Sequence, residues 1–140
     1  MYKDTVTIFT RAGNVWYPTL VKGADFNGNR AAILARYGEN SKDNAELHLR
    51  LGKCGCVAGK RYVLPKEWDS LTDKADSFAM RESDFFIVGD YTSLATGGTV
   101  SDLTYHDGFY NHMNRTYDNV YLITSVARYS VIPHFEVLAR

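Results

Sequence analysis

The chain has 140 residues, 45% apolar and 23% charged, a composition that can build one core without disulfide staples. Sixteen basic side chains balance sixteen acidic ones, so the basic excess of a polyanion-binding module is missing. No apolar run approaches the ~20 residues that a membrane span needs.

The first five residues are charged and strand-like, without the apolar stretch of a signal peptide. Residues 2–11 alternate as a strand, with Val6 and Ile8 on one face and Thr7 and Phe9 on the other. Ala12-Gly13-Asn14 reads as a tight turn into a second strand over 15–26, where Pro18 requires an edge or a bulge and Gly23 a bend. Asn29 caps a short helix over 30–37 and Gly38 ends it. After a polar stretch over 39–44, Leu47, Leu49 and Leu51 alternate with Glu46, His48 and Arg50, the pattern of a half-buried strand. Residues 52–60 read as a loop or hairpin tip, 61–64 as a short strand, and Pro65 opens one helical turn. A short strand is expected at 78–80 and a clear one at 84–88. The Thr/Ser/Gly-rich stretch 91–106 is weakly patterned. Asp107 is the expected cap of a helix to about Tyr117, with Phe109, Tyr110, Met113 and Tyr117 as its apolar stripe. Residues 120–126 read as a strand covered on both faces, 128–130 as a turn, and 131–139 as a final strand. Seven or eight short strands with one or two short helices give a mainly β fold, a small antiparallel β-barrel or sandwich. A single domain over 1–140 is expected, with insertions near 52–60 and 91–118.

Catalytic and metal motifs are missing. There is no phosphate-binding loop, dinucleotide fingerprint, nucleophile elbow or HExxH zinc motif. Cys54 and Cys56 are too close for a relaxed bridge and have no second pair to complete a zinc site, so reduced thiols are expected. His106 and His112 are six positions apart and do not share a helical face as an i, i+4 pair would. Asp84 and Asp90 bracket a strand instead of converging across a pocket. His48 and His134 alternate with apolar residues and read as surface or edge imidazoles. The sequence reading therefore assigns no enzyme activity, cofactor or metal.

The neutral total hides a split. Residues 1–70 carry eleven basic and seven acidic side chains, and residues 71–140 carry five basic and nine acidic. Arg50, Lys53, Lys60, Arg61 and Lys66 form a basic run, and Asp69, Asp73, Asp76 and Glu82 open an acidic one. Two such runs are either solvated faces or the complementary sides of a head-to-tail ring.

Several segments together resemble a known pattern: the opening strand Asp4-Thr5-Val6-Thr7-Ile8-Phe9, Ala45-Glu46-Leu47-His48-Leu49, and Pro65-Lys66-Glu67-Trp68. With them go Asp84-Phe85-Phe86-Ile87-Val88-Gly89-Asp90 and Ile132-Pro133-His134-Phe135-Glu136-Val137. The chain resembles an uncharacterised family of structural proteins from phages and prophages of Gram-positive bacteria. That family is similar in layout to the head-completion, or stopper, proteins of long-tailed phages. The resemblance implies a virion protein of the phage neck, made in the host cytoplasm. It implies a homomeric ring, six- or twelve-fold, between a portal-adaptor protein and a tail-terminator or tail tube protein. It also implies non-specific contact with genomic DNA in the channel. The excursion after the second strand would then be the channel loop, with Asn27, Gly28, Asn29 and Arg30 at its start and Gly38, Asn40, Lys42 and Asn44 towards its end. The candidate ring interface is formed by the basic run and the acidic positions 69–82. Two alternatives stand beside this reading: a tail-terminator or other head–tail joining protein, and a monomeric β-barrel binding module.

Overall fold

The computed structural model describes residues 2–38, 40–52 and 55–140. Two long strands, β1 (Asp4–Ala12) and β2 (Val15–Asn27), form the expected N-terminal hairpin. Gly13 takes φ +61 at its turn, a left-handed backbone that glycine adopts without a Cβ clash. Near the other end Asp4 faces Ala24 while Thr5 faces Lys22, so Gly23, at φ +96, is the extra residue of a bulge. The bulge bends β2, which pairs with β1 along its length and reaches a second neighbour at each end. Pro18 lies between those two contacts, where among the described residues no second strand pairs with β2 and a missing N–H is tolerated.

Helix α1 (Arg30–Tyr37) leads into β3 (Ala45–Arg50). Then come β4 (Cys56–Val57), β5 (Lys60–Tyr62), α2 (Pro65–Ser70) and β6 (Ser77–Phe78). Strand β7 (Phe85–Val88) precedes a 3-10 turn at Thr92–Leu94, β8 (Val100–Ser101), a second 3-10 turn at Asp102–Thr104 and helix α3 (Phe109–Thr116). Strands β9 (Val120–Tyr129) and β10 (His134–Ala139) complete the order.

The sheet runs β1–β7–β9–β10–β3–β2 and returns to β1, all pairs antiparallel, so six strands close into a barrel and β8 adds to β2 as an extra strand. The mainly β expectation holds in its barrel form. The inward faces supply Val6, Ile8, Leu47, Leu49, Phe86, Phe135 and Val137, all 0–1% exposed. A three-stranded sheet, β4–β5–β6, adds Val57 and Phe78 to the same core, and Met80 joins it just beyond β6. Trp68 of α2 locks this sheet on: its indole N–H donates to Arg11 O at 3.1 Å and its ring meets Tyr17 edge-on. Lys60 Nζ also donates to Pro18 O at 2.7 Å.

Five expectations change. Residues 91–106 are packed, because Val100, Leu94 and Tyr105 join α3 over Phe9, Trp16 and Phe85; this second core covers the outer face of β1. The cap of α3 is Gly108, and its carboxylate comes from Asp102, which accepts from Phe109 N at 2.8 Å and Trp16 Nε1 at 3.0 Å. Asp107 instead pairs with Arg115. Strand β9 extends to Tyr129 and is buried only at Val120 and Ile123, and from Ala127 on its residues are exposed, so it is not covered on both faces. The turn falls at 130–133, with β10 starting at His134. Among the described residues three helices form, not one or two.

Candidate functional site

Strands β3 and β10 pair with His48 opposite Glu136 and Leu138 opposite Glu46. Alternation sends Leu47, Leu49, Phe135 and Val137 inward, so Glu46, His48, His134 and Glu136 share the outer face. Helix α1 lies against this face. Asn29 Oδ1 accepts from Ala32 N to start the helix, Ile33 is buried, and Arg36 falls in the last turn. The helix therefore carries a cation over two carboxylates. Arg36 donates to Glu46 Oε1 at 2.7 Å and to Glu136 Oε1 at 2.9 Å.

The imidazoles complete the cluster. His48 Nε2 is 2.5 Å from Glu46 Oε1 and 3.8 Å from Glu136 Oε1. His134 Nε2 is 3.0 Å from Glu136 Oε2, while its Nδ1 donates to Ile132 O at 2.5 Å. Tyr129 stacks on the His134 ring at 4.9 Å. The backbone contact with Ile132, then the Glu136 carboxylate, raises the His134 pKa. Desolvation alone would raise Glu136, but the His134 hydrogen bond and the charges of His48 and Arg36 bring it below the usual carboxylate value. Burial, followed by Glu46, pushes the Tyr37 hydroxyl up. One ligand atom each from Glu46, His48 and Glu136 lies within 4.8 Å of the others, so these side chains can hold a cation.

The sequence pattern implies that His48 and His134 are surface or edge imidazoles and assigns no metal. The structure corrects the first point: both are half-buried on interior barrel strands and lie 5.8 Å apart, ring to ring. The period-two pattern did place each His on the same face as its Glu, but the register joining the two strands has no local signal.

Beside the cluster, the β9–β10 hairpin projects. Val131 is 95% exposed and Ile132 76%. A cleft of about 560 Å³ lies at its base, lined by Tyr2, Arg50, Leu51, Ile132, Pro133 and His134. Arg50 sits there over the Tyr2 ring at 4.1 Å.

The described part of the excursion, 27–38 and 40–44, is folded onto the barrel. Asn27 pairs with Glu46, and Gly28 packs beside the Phe26 ring. Asn29 and Gly38 bound α1. Arg30 donates to Ser41 O, Asp43 O and Asn44 Oδ1, and Asn44 N donates to Ala139 O. Asn40 and Lys42 are exposed. Of the interface candidates, Arg50 lies apart on β3, while the described ones from Lys60 to Glu82 are interleaved on one module. Arg61 pairs with Glu67 at 3.5 Å and donates from its backbone to Asp76 O, and Asp69 pairs with Arg81 at 2.8 Å. The reason is the parallel β5–β6 pairing, which folds the acidic run back beside the basic one. Burial lowers the Lys60 pKa, and Asp76 opposes it. Lys66, Asp73, Asp76 and Glu82 face solvent; Lys53 and Cys54 lie outside the described residues.

A second titratable site is Asp84, 1% exposed, which accepts from Arg11 N at 3.1 Å and Arg81 N at 3.2 Å. Burial outweighs these donors and raises its pKa to about 7. Asp90 is exposed and bonded to Thr92 at the other end of β7, so the two carboxylates do not converge.

The chain belongs to a family of unknown function, DUF6751, whose model matches residues 1–140. No curated protein and no solved structure matches it.

Proposed function

We propose that the protein is a structural ring component of the phage neck, of the head-completion or stopper kind, joining a portal-adaptor to a tail and helping to close the DNA channel. The observation that carries this reading is the bare apolar tip Val131-Ile132 on a barrel otherwise closed on itself. A barrel that has satisfied its own strand edges gains nothing from exposing such residues, but a docking contact does. The exposed charges Lys66, Asp73, Asp76 and Glu82 leave a polar surface on the β4–β6 module that a neighbouring subunit could meet. The segment 27–44 is tied down by Arg30 and Asn44, so in this reading the hairpin makes the intersubunit contact and the channel loop has to be released on assembly.

The test is light scattering and negative-stain microscopy of the purified protein, alone and with any portal and adaptor proteins found encoded beside it. Rings, or docking on the adaptor, are expected, and V131D/I132D should abolish them while leaving the melting temperature unchanged. A protein that stays monomeric with those partners, or a genome lacking them, overturns the reading.

A further inference from the structure

We propose that Glu46, His48, His134 and Glu136 form a site for one divalent transition-metal ion of the zinc class, and that Arg36 occupies it as an internal cation which the metal displaces. This inference is independent of the neck reading.

The donor set is the first reason. Two imidazoles and two carboxylates suit a borderline cation such as Zn²⁺, whereas Mg²⁺ and Ca²⁺ need a fuller oxygen shell. Geometry is the second. Ligands at about 2.0–2.2 Å from a tetrahedral Zn²⁺ stand roughly 3.4 Å apart. Atoms of Glu46, His48 and Glu136 already lie within 4.8 Å of one another, a gap that side-chain rotation closes. Their backbones are held by direct β3–β10 pairing. The third reason is His134. Its Nδ1 is committed to Ile132 O, the second-shell contact that orients an imidazole and presents Nε2 as the ligand atom. That Nε2 already points at Glu136.

The fourth reason is charge. The Glu46 and Glu136 side chains are only 9% and 11% exposed, so the pair requires a cation. Arg36 supplies it, but its own side chain is 52% exposed and hangs from an eight-residue helix. Arg36 can swing into water at little cost; the strand-borne carboxylates cannot follow. With four protein ligands no coordination position stays open, so the ion would clamp β3 to β10 and carry no catalytic water.

The experiment uses untagged, chelator-treated protein titrated with Zn²⁺ by calorimetry and with Co²⁺ by visible absorption. One equivalent should bind, with four-coordinate Co²⁺ bands and a raised melting temperature. R36Q should bind Zn²⁺ at least tenfold tighter, H48A and H134A at least tenfold weaker, and C54S/C56S like the parent. If H48A or H134A fails to fold, the Co²⁺ spectrum of the parent and the R36Q titration decide. The absence of stoichiometric uptake by both parent and R36Q overturns the site. So does binding that is lost in C54S/C56S but kept in H48A. An R36Q affinity equal to the parent's overturns the displacement by Arg36.

Discussion

Helices α1 and α3 have eight residues each, and each covers an outer face of the same barrel by opposite means. α3 docks through apolar rings. Phe109 is fully buried, with ring centroids 5.0 Å from Phe9, 5.6 Å from Phe85 and 6.2 Å from Trp16. α1 buries only Ile33 and is otherwise fastened by Arg36 to Glu46 and Glu136 and by the Arg30 contacts behind it. Eight residues are too few to hold a helix in water, so each takes its stability from what it rests on. One attachment depends on area removed from water and the other on charge, and they should respond to different perturbations.

The largest effect is expected on the α3 face. F109A empties the centre of the second core and should cost about 3–5 kcal/mol, read as a shift in the denaturant midpoint. A loss below 1 kcal/mol would mean that the rings are not packed as described.

The next perturbation is pH, read through Asp84 at the start of β7, beside Phe85 of the same core. Arg81 and the Arg11 N–H favour its charged form, Asp69 disfavours it, and Tyr62 is near enough to feel its charge. Burial nevertheless holds its pKa at about 7, above the ordinary 3.8. The folded state thus holds a proton that the unfolded chain has released. The contribution of Asp84 is complete below pH 4 and is lost as pH rises towards 7, by a few kcal/mol at most. Guanidinium midpoints of the parent should fall across that window relative to D84A, which should lack this slope.

The smallest effect belongs to α1. R36A should cost about 1–2 kcal/mol: it leaves two nearly buried carboxylates without their cation, but the lost guanidinium is itself half exposed and His48 and His134 stay against Glu46 and Glu136. Salt should have a similar effect: 1 M NaCl should speed amide exchange in α1 and leave α3 unchanged. Equal sensitivity of the two helices would erase the distinction.

Legibility in the sequence followed the range of the interactions. Helix α1 was readable to its last residue because Asn29 and Gly38 act within one turn of it. The alternation of β1, β3 and β10 was readable for the same reason. The cap of α3 was not, since the carboxylate on its first turn belongs to Asp102 and reaches it across a separate 3-10 turn. The packing of 91–106 was hidden too: its Thr/Ser/Gly composition shows no period, and β8 is only two residues paired with Val15 and Trp16. The site shows the same division. Period two put Glu46 with His48 and His134 with Glu136, but only barrel closure sets one pair against the other.

The place of β10 also matters for how the chain is made. It lies between β9 and β3, and both neighbours lack a partner on that side until it arrives. The β1–β2 hairpin can form early, but the ring of strands stays open until residue 139 has cleared the ribosome exit. Until then two bare strand edges and the apolar faces of Leu47 and Leu49 are on display. The species that precedes docking of β10 should therefore be the most aggregation-prone on the way to the fold, and a chain truncated before His134 should be insoluble, whereas one that includes β10 closes the barrel.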